Sequence, residues 1–262
     1  MEARKPVIGL VLGAGSARGL AHIGVLQVLQ EEGVQFDFIV GSSMGAMVGA
    51  VYASGTDLYI LDKMLDYMNT GLMIDIQVPR FGFVAGKRID SFIILLTKNK
   101  SFTQLNPPLM VVATDLMSGG RVIFDQGSVT EAVRASISIP GVFAPVRKDD
   151  MVLVDGAVID HLPVEVARAS GADIIIAVDV TFGPDKKVSI KNTLDVIMTA
   201  LDIMQKRHFD FIGPQADILI QPAVGNYASQ DFESSRAIVA LGRTATLDKV
   251  AEIKQKINDF QP

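Results

Sequence analysis

The chain has no cysteine and no tryptophan, and only three histidines, His22, His161 and His208, in 262 residues. Without cysteine there is no disulfide framework, no thiolate nucleophile and no cysteine-ligated metal. Three scattered histidines leave little for a histidine metal site, so neither metal nor cofactor is expected. Positive charge is also scarce. Twenty-four Lys and Arg against 29 Asp and Glu give a net charge of −5. The small groups at Lys98, Lys100 and Lys186-Lys187 do not make a basic surface. Such a chain has no electrostatic reason to seek nucleic acid or anionic lipid head groups. Long apolar runs are missing too. The most membrane-like stretch, 38–53, is broken by Gly41, Ser42, Ser43, Gly45 and Gly49 and is shorter than a bilayer span. It reads as a buried strand, turn and helix. The N-terminal 1–6 is short and charged and lacks the shape of a signal peptide. A cytoplasmic protein, at most peripheral to a membrane, is the expectation.

What is present suits one domain spanning 1–262. Nearly half the residues are apolar, and the mean hydropathy of +0.35 calls for large buried elements or some exposed apolar surface. Strand and helix patterns alternate, which predicts an α/β fold with a mainly parallel sheet. Strands are expected at 7–12, 36–40, 109–114, 121–124, 151–154, 174–180 and 216–220, and helices at 20–32, 44–54, 164–170, 194–208 and 232–257. The segment 58–101 differs. It carries Met64, Met68, Met73, Phe81 and Phe83 with spaced glycines. Methionines suit adaptable apolar surfaces, so two readings stand: ordinary helical packing, or an acyl-chain groove or mobile cover. Any membrane contact would then be hydrophobic, through residues such as Phe81 and Phe83, and not electrostatic.

Three short motifs carry chemistry. Gly41-Ser42-Ser43-Met44-Gly45 fits G-x-S-x-G with a strand before it and a helix after it. That is the setting of a nucleophile elbow, where small flanks let the chain turn sharply and lift the serine hydroxyl; a plain glycine turn is the structural alternative. Gly13-Ala14-Gly15-Ser16-Ala17-Arg18-Gly19 joins the first strand to the first helix. Its small residues expose backbone N–H groups that can hold an anion. The spacing does not fit a dinucleotide loop, because Arg18 stands where the third glycine belongs, nor a P-loop. Arg18 is either a structural arginine at a helix start or a contact for a carboxylate or lipid phosphate. The third motif, Asp155-Gly156-Ala157, ends a short apolar strand. A carboxylate there can reach a serine directly if burial raises its pKa. His161 is the one histidine placed to serve as a base instead; His22 sits inside the first helix and His208 near its helix end.

The order of these motifs resembles the patatin-like phospholipase family, close to its small bacterial members. Further segments share the likeness: His22 to Leu26, Ala113 to Leu116, Arg134 to Phe143, Leu162 to Val164 and Gly171 to Asp173. It spans about 7–180 as a set. The resemblance implies a three-layer α/β/α sandwich and a Ser–Asp dyad of Ser43 and Asp155 without histidine. It also implies an oxyanion loop over Gly13, Ala14, Gly15 and Ser16, and metal-free hydrolysis of phospholipid or other acyl esters. A non-lipid esterase or thioesterase, or a regulatory protein with little turnover, are the alternatives. Ala14 and Ser16 replace two glycines of the family's loop, and His161 stands where many members have asparagine.

Overall fold

The computed structural model describes residues 4–65, 87–181, 190, 193–212 and 215–261. Among these, eight strands form one sheet: β1 (Ile8–Leu12), β2 (Phe38–Ser42), β3 (Leu109–Asp115), β4 (Gly120–Phe124), β5 (Val146–Lys148), β6 (Met151–Asp155), β7 (Ile174–Val178) and β8 (Ile218–Ile220). Their order is β5-β6-β3-β2-β1-β7-β8, with β4 on β3. The pairs β3–β2, β2–β1, β1–β7 and β7–β8 are parallel. The pairs of β6 with β3 and β5, and of β4 with β3, are antiparallel. The central strands are buried at every position. This is what a parallel sheet covered on both faces requires, and it explains their unbroken apolar runs.

Side chains alternate across a strand, and the two faces meet different layers. Ile8, Leu10, Leu12, Ile39, Val111 and Ile176 join a large core with α1 (Ala21–Glu31), α2 (Met44–Ala53), α3 (Leu58–Leu65), α4 (Lys87–Leu96), α5 (Val129–Ser136), α8 (Ser235–Leu247) and α9 (Val250–Asn258). Val11, Phe38, Val40, Val112 and Ile175 face a smaller core formed with α6 (Val164–Ala169) and with Phe209 of α7 (Thr193–Ile212). The result is the expected three-layer α/β/α sandwich. Helices α1 and α8 cross with their backbones touching. A Cβ on Gly24 would lie 2.0 Å from Val239 O, and one on Gly242 would lie 2.0 Å from Ala21 O.

Several expectations from the sequence change in detail. Residues 16–20 form a 3-10 turn ahead of α1 instead of its first turn. The stretch 232–257 is two helices, parted at Asp248-Lys249, where Lys249 N–H donates to Thr246 O at 2.9 Å and tightens the chain. Helix α5 and strand β5 were not expected at all.

Candidate active site

The sheet's register creates the meeting of serine and aspartate. Along β3, β2 ends where Ser42 pairs with Val112. One residue further, Ala113 pairs with Asp155 of β6. Since β4 occupies the other side of β3, β6 takes over the place that β2 leaves. The residue after β2 and the last residue of β6 therefore converge. Ser43 Oγ donates to Asp155 Oδ2 at 2.7 Å, and the other carboxylate oxygen accepts Ala157 N–H at 2.9 Å. Both side chains are buried, Ser43 to 5% and Asp155 to 4% exposure.

Ser43 sits at φ 52°, ψ −121°, a left-handed φ that favours glycine and stores strain in other residues. The surroundings hold it there. Ser43 N–H donates to Ser136 Oγ at 2.9 Å, and that hydroxyl donates to Val112 O at 2.6 Å. The flanking glycines are needed because α2 presses on the sheet: a Cβ on Gly45 would meet Leu12 O at 2.0 Å, and one on Gly41 would meet Ala46 Cα at 2.5 Å. Asp155 is pinned equally well. Its N–H donates to Ser138 O at 3.0 Å, and its carbonyl accepts Thr114 Oγ1 at 2.9 Å. Burial pushes the Asp155 carboxyl up to about 6, against the opposing pull of the Ser43 hydroxyl, the Ala157 N–H and the nearby His161.

The glycine loop divides into a clamped half and a half that faces the serine. Gly13 N–H donates to Val178 O at 3.0 Å and Ala14 N–H to His161 O at 2.9 Å. Those two groups are committed to the scaffold and cannot serve an anion without breaking it. The N–H groups of Gly15 and Ser16 meet no acceptor among the described residues, and both residues border the same pocket as Ser43 and Asp155. Ser16 has φ 51°. A Cβ on Gly15 would lie 2.3 Å from Val180 Cγ2, so only glycine fits there.

A model of the family described as patatin-like phospholipase matches residues 10–168. The chain belongs to the patatin-like phospholipase family. An uncharacterised NTE family protein of Mycobacterium tuberculosis is 39% identical over 175 residues, covering 66% of this chain and 49% of the relative. A second protein of that species and family name is 32% identical over 264 residues, covering 91% of this chain and 45% of its own length. Mouse patatin-like phospholipase domain-containing protein 7 is 36% identical over 181 residues, 66% of this chain and 13% of the relative. The chain thus spans at most about half the length of these curated relatives. Two solved structures share the fold. VipD from Legionella pneumophila superposes with a TM-score of 0.62 at 15% identity, over 95% of this chain and 67% of that one. ExoU of Pseudomonas aeruginosa, in complex with SpcU, gives 0.53 at 13% identity, over 99% and 54%.

In this patatin-like chain the pocket over Ser43 is narrow. Its free volume of about 40 Å³ has room for about three waters. Helix α7 supplies Leu201, Asp202 and Gln205 to its wall, and Gln205 Nε2 donates to Ala157 O at 2.6 Å. The segment 58–101, read as ordinary packing or as an apolar cover, is described only in part. Leu58 and Leu61 of α3 pack into the large core, Met64 is exposed, and Met68, Met73, Phe81 and Phe83 lie outside the described residues. Arg18 also borders the pocket and is 4% exposed. Its Nη2 donates to Ser229 Oγ at 2.8 Å and lies 3.5 Å from Asp202 Oδ2, while its Nε has no partner among the described residues.

Two of the histidines are hydrogen-bonded within the fold. His22 Nε2 donates to Gly13 O at 2.8 Å, and burial holds its imidazole down at about 4, so it is neutral. His161 Nε2 lies 3.1 Å from Asp179 Oδ1. His208 falls within α7. No group of three or more acidic or histidine side chains is arranged for a metal among the described residues, nor is any helix there long and apolar enough to cross a membrane. The roles of Ser136, Ser138, Thr114 and Asp179 were not read from the sequence; each acts by a contact across 17 or more residues.

Proposed function

We propose that this chain is a serine acyl hydrolase acting on lipid acyl esters, with Ser43 as nucleophile and Asp155 as base. The observation that carries this reading is the 2.7 Å hydrogen bond from the Ser43 hydroxyl to a buried carboxylate at the mouth of a strained strand-to-helix turn. A carboxyl shifted to about 6 is still ionised near neutral pH and is a stronger base than an ordinary aspartate. Asp155 takes the Ser43 proton as Oγ attacks the ester carbonyl. The negative charge that forms on the carbonyl oxygen is met by the N–H groups of Gly15 and Ser16, and of Met44 at the N-terminus of α2. Collapse expels the alcohol, which takes the proton from Asp155, and leaves an acyl-Ser43. Water, deprotonated by Asp155, then releases the acid and restores the serine.

Family membership supports lipid acyl esters as the substrate class. The pocket over Ser43 is small and α7 forms part of its wall, so a shift of α7 would widen it for an ester. Arg18 is the candidate contact for an anionic part of the substrate. Contact with a lipid surface is peripheral and apolar in this reading, given the net charge of −5. The test is a panel of phospholipid, lysophospholipid, p-nitrophenyl and thioester substrates with wild type and Ser43→Ala, together with fluorophosphonate labelling read by mass spectrometry. An adduct on Ser43 with Ser43-dependent turnover of lipid esters supports the proposal. Turnover confined to thioesters or small esters moves the substrate class; an unlabelled, inert protein removes the reading.

A further inference from the structure

The proposed oxyanion donors depend on which way one peptide group faces. In a trans peptide the C=O and the following N–H point to opposite sides. The Ala14–Gly15 peptide has its carbonyl turned inward, where Ala14 O accepts Thr181 Oγ1 at 2.8 Å. Its N–H, on Gly15, is thereby set on the opposite side of that peptide, and Ala14, Gly15 and Thr181 all border the pocket that holds Ser43 and Asp155. Among the described residues that peptide has no other hydrogen bond; the next carbonyl, Gly15 O, accepts Arg18 N–H at 3.1 Å. A small residue followed by glycine turns over easily, because glycine accepts both signs of φ. The preceding peptide is held at both ends by His22 and His161 O; the Ala14–Gly15 peptide is held by Thr181.

Thr181 is itself anchored. Its N–H donates to Asp179 Oδ1 at 2.9 Å. Asp179 is fully buried and also receives Gln221 Nε2 at 2.9 Å on its other oxygen, with His161 Nε2 at 3.1 Å. Burial alone would raise this carboxyl, but these donors outweigh it and hold it below the usual range. It is thus an ionised, fixed post at the end of β7, and Thr181 is 3% exposed beside it.

We propose that Thr181 is a positioning residue for the reaction. Its hydroxyl fixes the Ala14–Gly15 peptide so that Gly15 N–H meets the developing oxyanion, and Asp179 fixes Thr181. The inference rests on the acyl-hydrolase reading above. Thr181→Val keeps the shape and removes the hydroxyl; Thr181→Ser keeps the hydroxyl and removes the methyl; Thr181→Ala removes both. With p-nitrophenyl butyrate, kcat should fall about 10- to 100-fold in the Val and Ala variants. KM should change by less than about threefold, since the ester's ground state does not need the donor. Thr181→Ser should recover to within about threefold of wild type. Fluorophosphonate labelling of Ser43 should slow in parallel, because that reaction also builds negative charge on oxygen. Melting temperature is measured for all three. The Ser–Ala pair decides the matter if Thr181→Val does not fold, as those two differ only in the hydroxyl. Wild-type kcat in Thr181→Ala, or a Ser variant as slow as Ala with the same melting temperature, overturns the inference while Ser43-dependent turnover in wild type leaves the acyl-hydrolase reading standing. A wild type without such turnover removes both.

Discussion

Two aspartates close neighbouring strands two residues apart in register, and they are treated in opposite ways. Asp115 ends β3 and Asp155 ends β6; Asp115 pairs with Leu153, and Asp155 with Ala113. Asp115 takes the Ser118 hydroxyl at 2.6 Å and the N–H groups of Met117, Ser118 and Val152, each at 3.1 Å. Those donors pull its carboxyl down to about 2. Asp155 takes one hydroxyl and one N–H, and burial carries it up to about 6. An aspartate surrounded by donors is fixed as an anion and stabilises a turn. One that is buried with few donors keeps its affinity for a proton, which is what a base needs. Desolvation together with the number of donors, and not the position at a strand end, separates the two roles.

The sharpest way to break this contrast is to exchange the side chains' charge. Asp155→Asn and Ser43→Ala should each lower ester turnover by at least about 10³-fold, while Asp115→Asn should leave kcat near wild type. Equal loss from both aspartates would show that the donor count does not divide them.

Next comes the pH profile of kcat/KM. Asp155 must be ionised to accept the Ser43 proton, so activity should rise through about pH 6, where its carboxyl titrates, and lie near a plateau by pH 8. A rising limb near pH 4 would mean that Asp155 behaves as an ordinary carboxylate.

Stability should answer in the reverse sense. The folded value of Asp155 lies above the unfolded 3.8. Its contribution is therefore fully present below about pH 4 and is lost as pH rises through 6, by at most about 3 kcal/mol. His22 opposes it, since its folded value of about 4 lies below the unfolded 6.5, and its contribution is lost as pH falls through that range. Wild-type stability should be nearly flat between pH 4 and 6.5, and Asp155→Asn should expose a decline toward acid that denaturant melts can measure. A flat profile in the variant too would contradict the buried, neutral state of His22. The smallest effect belongs to the β3–β4 turn: Asp115→Asn should lower the melting temperature modestly, and a rise would contradict its role as a turn anchor.

The part of the site that could be read from sequence is the part made by local chemistry. A strand, two small flanks and a helix announce Ser43; two glycines among four small residues announce the loop; a strand ending in Asp-Gly-Ala announces Asp155. What could not be read depends on distant partners. That Gly13 spends its N–H on Val178 O follows from the β1–β7 pairing, and that Ala14 spends its own on His161 O follows from the loop before α6; no local pattern shows either. Helix α5 did leave a trace. Ser128 accepts Glu131 N–H at 3.3 Å as a helix cap, and Val129, Ala132 and Val133 are buried at helical spacing. That signal is real but spans only eight residues. Strand β5 is three residues long, and its turn into β6 carries Asp149 at φ 51°, so little of it shows in a periodicity. The separation of α8 from α9 has neither glycine nor proline to mark it, and their apolar positions continue across the break.

The close approach of α1 and α8 at Gly24 and Gly242 has a consequence for where this molecule can be cut. The family match ends at residue 168, but α8 begins at Ser235 and rests its backbone on α1 at the approach distance that only two glycines allow. Strand β7, also past the match, lies between β1 and β8 inside the sheet. A fragment stopped at the matched boundary would leave β1 without a neighbour on one side and strip the apolar face of α1. Recognition across relatives and physical autonomy therefore have different borders here. The stretch that carries the motifs is held in working shape by a stretch that carries none, and a shorter version for expression or domain grafting would have to keep both.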